Sequence, residues 1–126
     1  SLILIDINNF KAINDAYGHA VGDDALEVCV RLLKNCLRFT DFIARYGGDE
    51  FVIILDVSGK KDLDITVKRI NDYFEDFNKN SQKHYRLELS MGYAVYDCKT
   101  NMNVHDFIEH VDLLMYKSKH EDKNKK

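Results

Sequence analysis

The chain has 126 residues, enough for one folded unit around one core, and is 45% hydrophobic and 31% charged, the make-up of an ordinary soluble globular protein. Its net charge of −3, with no basic block, argues against polymeric nucleic acid as a partner, and its longest apolar runs are strand-sized, which argues against membrane contact. The three cysteines, Cys29, Cys36 and Cys98, form no CxxC, which argues against a disulfide framework or a zinc site and for a reducing compartment.

Leu2-Ile3-Leu4-Ile5 is a continuous apolar run, as expected of a central strand buried on both faces, with Asp6 at its C-terminal end. It opens the sequence with no preceding turn or cap, which leads us to expect that the chain is cut from a longer protein. Asn9–Tyr17 reads as a short helix ended by Gly18. A longer helix spans Gly22–Leu37, with Leu26, Cys29, Leu33, Cys36 and Leu37 at helical spacing. Cys29 and Cys36 lie on its apolar face and read as small core residues. Phe42–Arg45 and Phe51–Val57 read as two strands around the turn Gly47-Gly48-Asp49-Glu50.

After the loop Ser58–Lys61, the residues Leu63, Val67, Ile70, Phe74 and Phe77 mark an amphipathic helix. Alternation of Leu87, Leu89, Met91, Tyr93 and Val95 signals a strand. Asn103, three residues before Asp106, resembles an N-cap, and the helix it opens turns Phe107, Val111, Leu114 and Met115 inward. The aromatics Phe74, Phe77, Phe107 and Tyr116 are expected on helix-core faces. The tail from His120 to Lys126 is polar and expected to fray. The order β-αα-β-β-α-β-α predicts an α/β (α+β) sandwich of the ferredoxin-like or polymerase-palm type, its mostly antiparallel sheet flanked by helices.

In such a sheet the hairpin lies beside the first strand, so Asp6, Asp49 and Glu50 can meet at one edge. Three neighbouring carboxylates repel unless a cation joins them, and hard oxygen donors select Mg²⁺ or Mn²⁺, which recruits substrate phosphates. Acids at strand ends and turns are also commonly just solvated. The double glycine beside two acids favours the metal reading, because it lets the backbone come close to a ligand.

Arg45-Tyr46-Gly47-Gly48-Asp49-Glu50-Phe51 resembles the signature of the GGDEF domain, the diguanylate cyclase family. Asp6 to Asp15, Gly18-His19, Gly22-Asp23, Ser90-Met91-Gly92, and Asp112 to Tyr116 with Lys119 resemble further segments of that family at the right spacing, so the resemblance covers essentially residues 1–126 as one domain. It implies condensation of two GTP molecules into cyclic di-GMP with release of two pyrophosphates, dependent on Mg²⁺ (or Mn²⁺). Catalysis would need a homodimer, because each domain holds one GTP.

The resemblance also implies residue roles. Asp6, Asp49, Glu50 and the carbonyl of Ile7 would bind metal, and Asp49 is a candidate to deprotonate the attacking 3′-hydroxyl. Backbone N–H groups around Asn9, Phe10 and Lys11 would cradle phosphates. Asn14 and Asp23 would read the guanine edge. Lys119 and Lys123, four apart, would neutralise triphosphate charge; from the residues alone, a solvated basic helix end is the simpler reading. Arg38-Phe39-Thr40-Asp41 forms an RxxD pattern at the place of the family's inhibitory product site, about five strand residues or roughly 16 Å from the turn. Arg69 is a weaker candidate there, with solvation the simpler reading. His19 is expected to support its loop through hydrogen bonds, and His105 and His110 to lie on the surface.

Several positions depart from the family pattern. Asn8 stands where many members carry a second aspartate, Lys123 where arginine is usual, and Asp122 where glycine is often found. The chain is expected to lack an Asp-x-Leu-Thr-Gly-Leu-like stretch that usually precedes the first catalytic strand, and any upstream sensor domain. With no signal-peptide pattern, a cytoplasmic location is expected, which leaves room for a membrane anchor in a longer parent. The alternative reading is a catalytically weak or inactive GGDEF domain that binds GTP or cyclic di-GMP and passes on a signal. A polymerase-like or adenylyl cyclase-like palm would share the metal logic and differ in base preference.

Overall fold

The computed structural model describes residues 1–56, 59–97 and 99–124, with the side chains of 121–124 excepted. Cys98, the end of the expected strand at Val57, the start of the loop at Ser58, and the side chains of Asp122 and Lys123 lie outside the described residues. The elements follow in the order β1 (Leu2–Ile7), α1 (Phe10–Tyr17), α2 (His19–Cys36), β2 (Phe42–Arg45), β3 (Glu50–Ile54), α3 (Lys60–Asn80), β4 (Leu89–Ala94) and α4 (Val104–Asn124). The sheet order is β2-β3-β1-β4 with every neighbouring pair antiparallel, the ferredoxin-like arrangement the sequence predicts.

β1 is apolar without alternation because it is covered on both faces. Ile3, Ile5 and Ile7 join Phe51, Ile53 and residues of α1, α2 and α3 in the main core. Leu2 and Leu4 face the other way and pack under Phe107, Val111 and Met115 of α4. Burying side chains of this size stabilises by roughly 1.5–3 kcal/mol each. α4 lies directly on β4: a Cβ added at Gly92 would run into the backbone of Val111 and Met115. On the α4 side, the cross-strand partners Phe42 and Ile54 remain exposed, because α4 packs on β4 and β1.

Several boundaries and placements differ from expectation; β3, expected over Phe51–Val57, runs over Glu50–Ile54. α2 starts at His19, not Gly22, since Gly18 (φ 93°) closes α1 and opens α2 with no loop between them. Gly22 sits inside α2, where a Cβ would collide with the Asn14 side chain. β4 begins at Leu89 rather than Leu87. The amide of Asn78 takes over at Leu87, donating to its carbonyl (2.8 Å) and accepting from its N–H (2.9 Å). Tyr116 is exposed, edge-on to His120, and not in the core. It lies nine residues after the buried Phe107, two and a half turns, and so falls on the opposite helix face.

Cys29 and Cys36 are buried as expected, and burial pushes their thiols up to about 12 and about 11, so both are inert core residues. Asn103 caps α4 as the sequence indicates, its Oδ1 accepting from Asp106 N–H at 2.8 Å. No helix among the described residues is long and apolar enough to cross a membrane.

Candidate active site

The sheet register brings the acidic residues together. Asp6 on β1 is the cross-strand partner of Glu50 on one side and Ser90 on the other. The N–H of Ile7 donates to the Asp49 carbonyl at 3.0 Å, which pins the turn to the end of the central strand. The turn closes through Tyr46 N–H to the Glu50 carbonyl (2.8 Å). Arg45 braces it from outside, its guanidinium donating to the carbonyls of Gly47 (3.1 Å) and Gly48 (2.7 Å). Space is open where a Cβ would stand at Gly48.

Asp6 is buried, with its side chain only 8% exposed. Its Oδ2 accepts from the Lys119 ammonium at 2.9 Å, while Oδ1 is buried with no hydrogen-bond partner. Such an orphaned carboxylate oxygen is costly and points to a missing positive charge. Burial, then the Asp6 charge, raises the pKa of Asp49 above the usual carboxylate range. Glu50 is raised by burial and by the charges of Asp6, Asp49 and Asp112. The hydrogen bond to Asp6 raises Lys119. Among the described residues, no three His, Cys, Asp or Glu side chains stand close enough together to form a finished metal cage. The donor set still fits a hard divalent cation: carboxylate oxygens, one of them orphaned, beside a strand end.

Asn9 stands next to this cluster in the left-handed conformation (φ 58°), alone among the described non-glycine residues. The first helical bond of α1 runs from Ile13 N–H to the Asn9 carbonyl at 3.1 Å, so the N–H groups of Phe10, Lys11 and Ala12 have no carbonyl below them within the helix. The Phe10 ring packs against the core, and Lys11 is exposed. Asn14 is half-buried against Gly22 of α2, and exposed Asp23 follows on the same turn. The α1–α2 corner thus sets Asn14 against Gly22, the residue before Asp23.

The RxxD turn lies apart from the acids. Both oxygens of Asp41 are already engaged, by the N–H of Arg38 (2.8 Å) and the N–H of Asp56 (2.9 Å). The Arg38 side chain is exposed. Arg69 is bonded rather than simply solvated: its Nη1 donates to the Cys36 carbonyl at 3.2 Å, capping α2 two residues before Arg38. His105 and His110 are exposed, as expected. His19 is exposed at the start of α2 and makes no side-chain hydrogen bond with the other described residues, contrary to expectation.

Two contributors went unread in the sequence. Arg45 was part of the motif without a role. The fully buried Ser90 donates its hydroxyl to Asn8 Oδ1 at 2.7 Å. The signal for Ser90 was present: Ser90, Gly92 and Ala94 form a run of small residues on alternate strand positions, opposite the apolar alternation.

A sequence model of the family described as "Diguanylate cyclase, GGDEF domain" matches residues 1–125. Diguanylate cyclase A of Treponema denticola is 33% identical over 126 residues, covering 99% of this chain and 34% of that protein. Diguanylate cyclase DgcM of Escherichia coli is 33% identical over 126 residues, covering 99% of this chain and 30% of that protein. The chain thus spans about a third of the length of these relatives. Among solved structures, the GGDEF domain of TpbB (YfiN) from Pseudomonas aeruginosa superimposes with a TM-score of 0.84 at 28% identity, over 95% of this chain and 70% of that one. The GGDEF domain of DgcB from Caulobacter crescentus, solved in complex with cyclic di-GMP, gives a TM-score of 0.81 at 25% identity, over 94% of this chain and 71% of that one. With the acids, the glycine turn and the sheet register in the places described, this chain belongs to the GGDEF domain family, the family of diguanylate cyclases.

Proposed function

We propose that this chain is the catalytic domain of a diguanylate cyclase that joins two GTP molecules into cyclic di-GMP. The observation that carries the reading is the orphaned Oδ1 of Asp6, in register with Glu50 and next to Asp49. Asp6, Glu50, Asp49 and the Ile7 carbonyl would hold Mg²⁺ or Mn²⁺, which when bound supplies charge to the triphosphate and lowers the barrier to losing pyrophosphate. Phe10 and Lys11 offer backbone N–H groups to the phosphates, Lys119 and Lys123 offer positive charge, and Asn14 with Asp23 orients guanine. Asp49, whose raised proton affinity suits a base, takes the proton of the 3′-hydroxyl as that oxygen bonds the α-phosphorus of the GTP on a second domain. The α–β phosphoanhydride bond breaks, and pyrophosphate leaves with the electron pair. Two such events close the ring, so the working unit is a homodimer with one GTP per domain. Such GTP chemistry fits the cytoplasm.

The RxxD turn is proposed as the product site, with Arg38 and Arg69 making the contacts, because the Asp41 oxygens are committed to the backbone. A second reading, a domain that binds nucleotide without turnover, draws support from Asn8 and from Lys119 lying on Asp6.

The test is incubation of the chain, and of a longer protein containing it, with GTP and Mg²⁺, with products resolved by mass. Cyclic di-GMP that disappears with Glu50→Ala supports the enzyme. No product from a folded longer protein that still binds nucleotide overturns it in favour of the binding domain.

A further inference from the structure

We infer that Lys119 is a built-in counter-ion that a divalent cation must displace from Asp6, and that it thereby sets how tightly the site holds metal before nucleotide arrives. This rests on the metal-dependent reading above. The Lys119 ammonium sits 2.9 Å from Asp6 Oδ2, on the carboxylate whose other oxygen is buried and unpaired. One positive charge is thus present beside Asp6, whose charge also acts on Asp49 and Glu50, and it engages only one of the two Asp6 oxygens.

The two partners differ in freedom. Asp6 belongs to the central strand and its side chain is 8% exposed, whereas that of Lys119 is 36% exposed. The lysine can therefore leave toward solvent with no movement of the backbone. An ammonium and a divalent cation on one carboxylate repel strongly at low dielectric, so binding of one disfavours the other. Freed from Asp6, the ammonium needs a new anion, and a triphosphate held at the N-terminal turn of α1 supplies it. Metal and nucleotide then reinforce each other, and linkage makes the effect reciprocal. Lys119 is in this sense a determinant of binding order, in addition to any contact it makes with phosphate.

The probe is Mn²⁺ alone, titrated into the chain and followed by the electron paramagnetic resonance signal of the free ion. Lys119→Met is expected to bind Mn²⁺ about tenfold more tightly than the wild type without nucleotide. Lys119→Arg, which keeps the charge, is expected to stay near the wild type. The gain in Mn²⁺ affinity conferred by a non-reacting GTP analogue is expected to shrink in Lys119→Met by a similar factor.

Because Lys119→Met leaves Asp6 less compensated, its melting temperature is read with and without Mn²⁺. A larger Mn²⁺-induced rise than in the wild type supports the inference. Unchanged or weaker Mn²⁺ binding in Lys119→Met, with Glu50→Ala still abolishing it, overturns this inference and leaves the cyclase reading intact. Absence of Mn²⁺ binding in wild type and variants alike, with the GTP analogue present as well as without it, overturns both.

Discussion

The hydroxyl of Ser90 donates to Asn8 Oδ1 at 2.7 Å, joining β4 to the residue that follows the central strand. Ser90 has no solvent exposure and is the register partner of Asp6. Asn8 is held a second time, by its N–H to the Glu88 carbonyl at 2.7 Å, and it precedes Asn9 in its left-handed conformation. A non-glycine residue in that region needs surrounding contacts to keep it there. At Asn8, therefore, the amide acts by hydrogen bonding, and the charge of an aspartate is not needed for that purpose.

The first prediction follows from that bond. Ser90→Ala leaves Asn8 Oδ1 without its donor and loosens the turn whose N–H groups are proposed to bind phosphate. Nucleotide affinity, measured by calorimetry, is expected to fall roughly tenfold, in line with about 1–2 kcal/mol for a buried bond. Ser90→Thr is expected to recover most of it. Equal affinity in Ser90→Ala and wild type would show that the turn holds itself.

Asp49 gives a prediction in pH. Its proton affinity is higher in the folded protein than in the unfolded chain, so the folded state binds more protons between the two pKa values. For this group, stability is fullest below the usual carboxylate range and is lost as pH rises through the raised value. Asp49→Asn should then raise the melting temperature of the metal-free protein at pH 7 by a few degrees. The gain should fade on acidification to about pH 4, the unperturbed carboxylate range. Melting curves in a chelator, across that range, check it; a pH-independent offset between the two proteins would contradict the account.

Gly92 is expected to tolerate no side chain. A methyl group there meets the backbone of Val111 and Met115, which cannot rotate away. Gly92→Ala should cost about 1–3 kcal/mol in denaturant unfolding, and more if α4 has to lift. An unchanged unfolding midpoint would mean that the helix sits farther from β4 than described.

Arg38 and Asp41 should separate. Arg38 is exposed, so Arg38→Ala is expected to weaken cyclic di-GMP binding with stability unchanged within about 0.5 kcal/mol. Asp41 holds two backbone N–H groups, and Asp41→Ala should lower stability by about 1–2 kcal/mol as well as weakening binding. Matched effects of the two variants on stability would argue against this division.

Most of the architecture was legible because the core is written in simple periods: an unbroken apolar run for β1, helical spacing in α2, α3 and α4, alternation in β4. The misread points are those where local pattern underdetermines geometry. A glycine can end a helix or lie within one, so Gly18 and Gly22 did not reveal where α2 begins. Leu87 alternates like a strand residue and is buried like one, yet its backbone is paired by the Asn78 side chain. The acids were legible as a motif, but their innermost partner was not. Lys119 reaches Asp6 from 113 residues away, and only the packing of α4 over β1 and β4 creates that contact.

The corner at Gly18 constrains how such a domain can change its choice of base. Asn14 lies one turn before the corner and Gly22-Asp23 one turn after it, with no slack between the helices. If Asn14 and Asp23 hold the base as proposed, the space between them has the character of a fixed calliper rather than a hinged jaw. A new base preference would have to come from exchanging the jaw residues themselves, since lengthening the chain at the corner would pull α2 out of register with the sheet it covers.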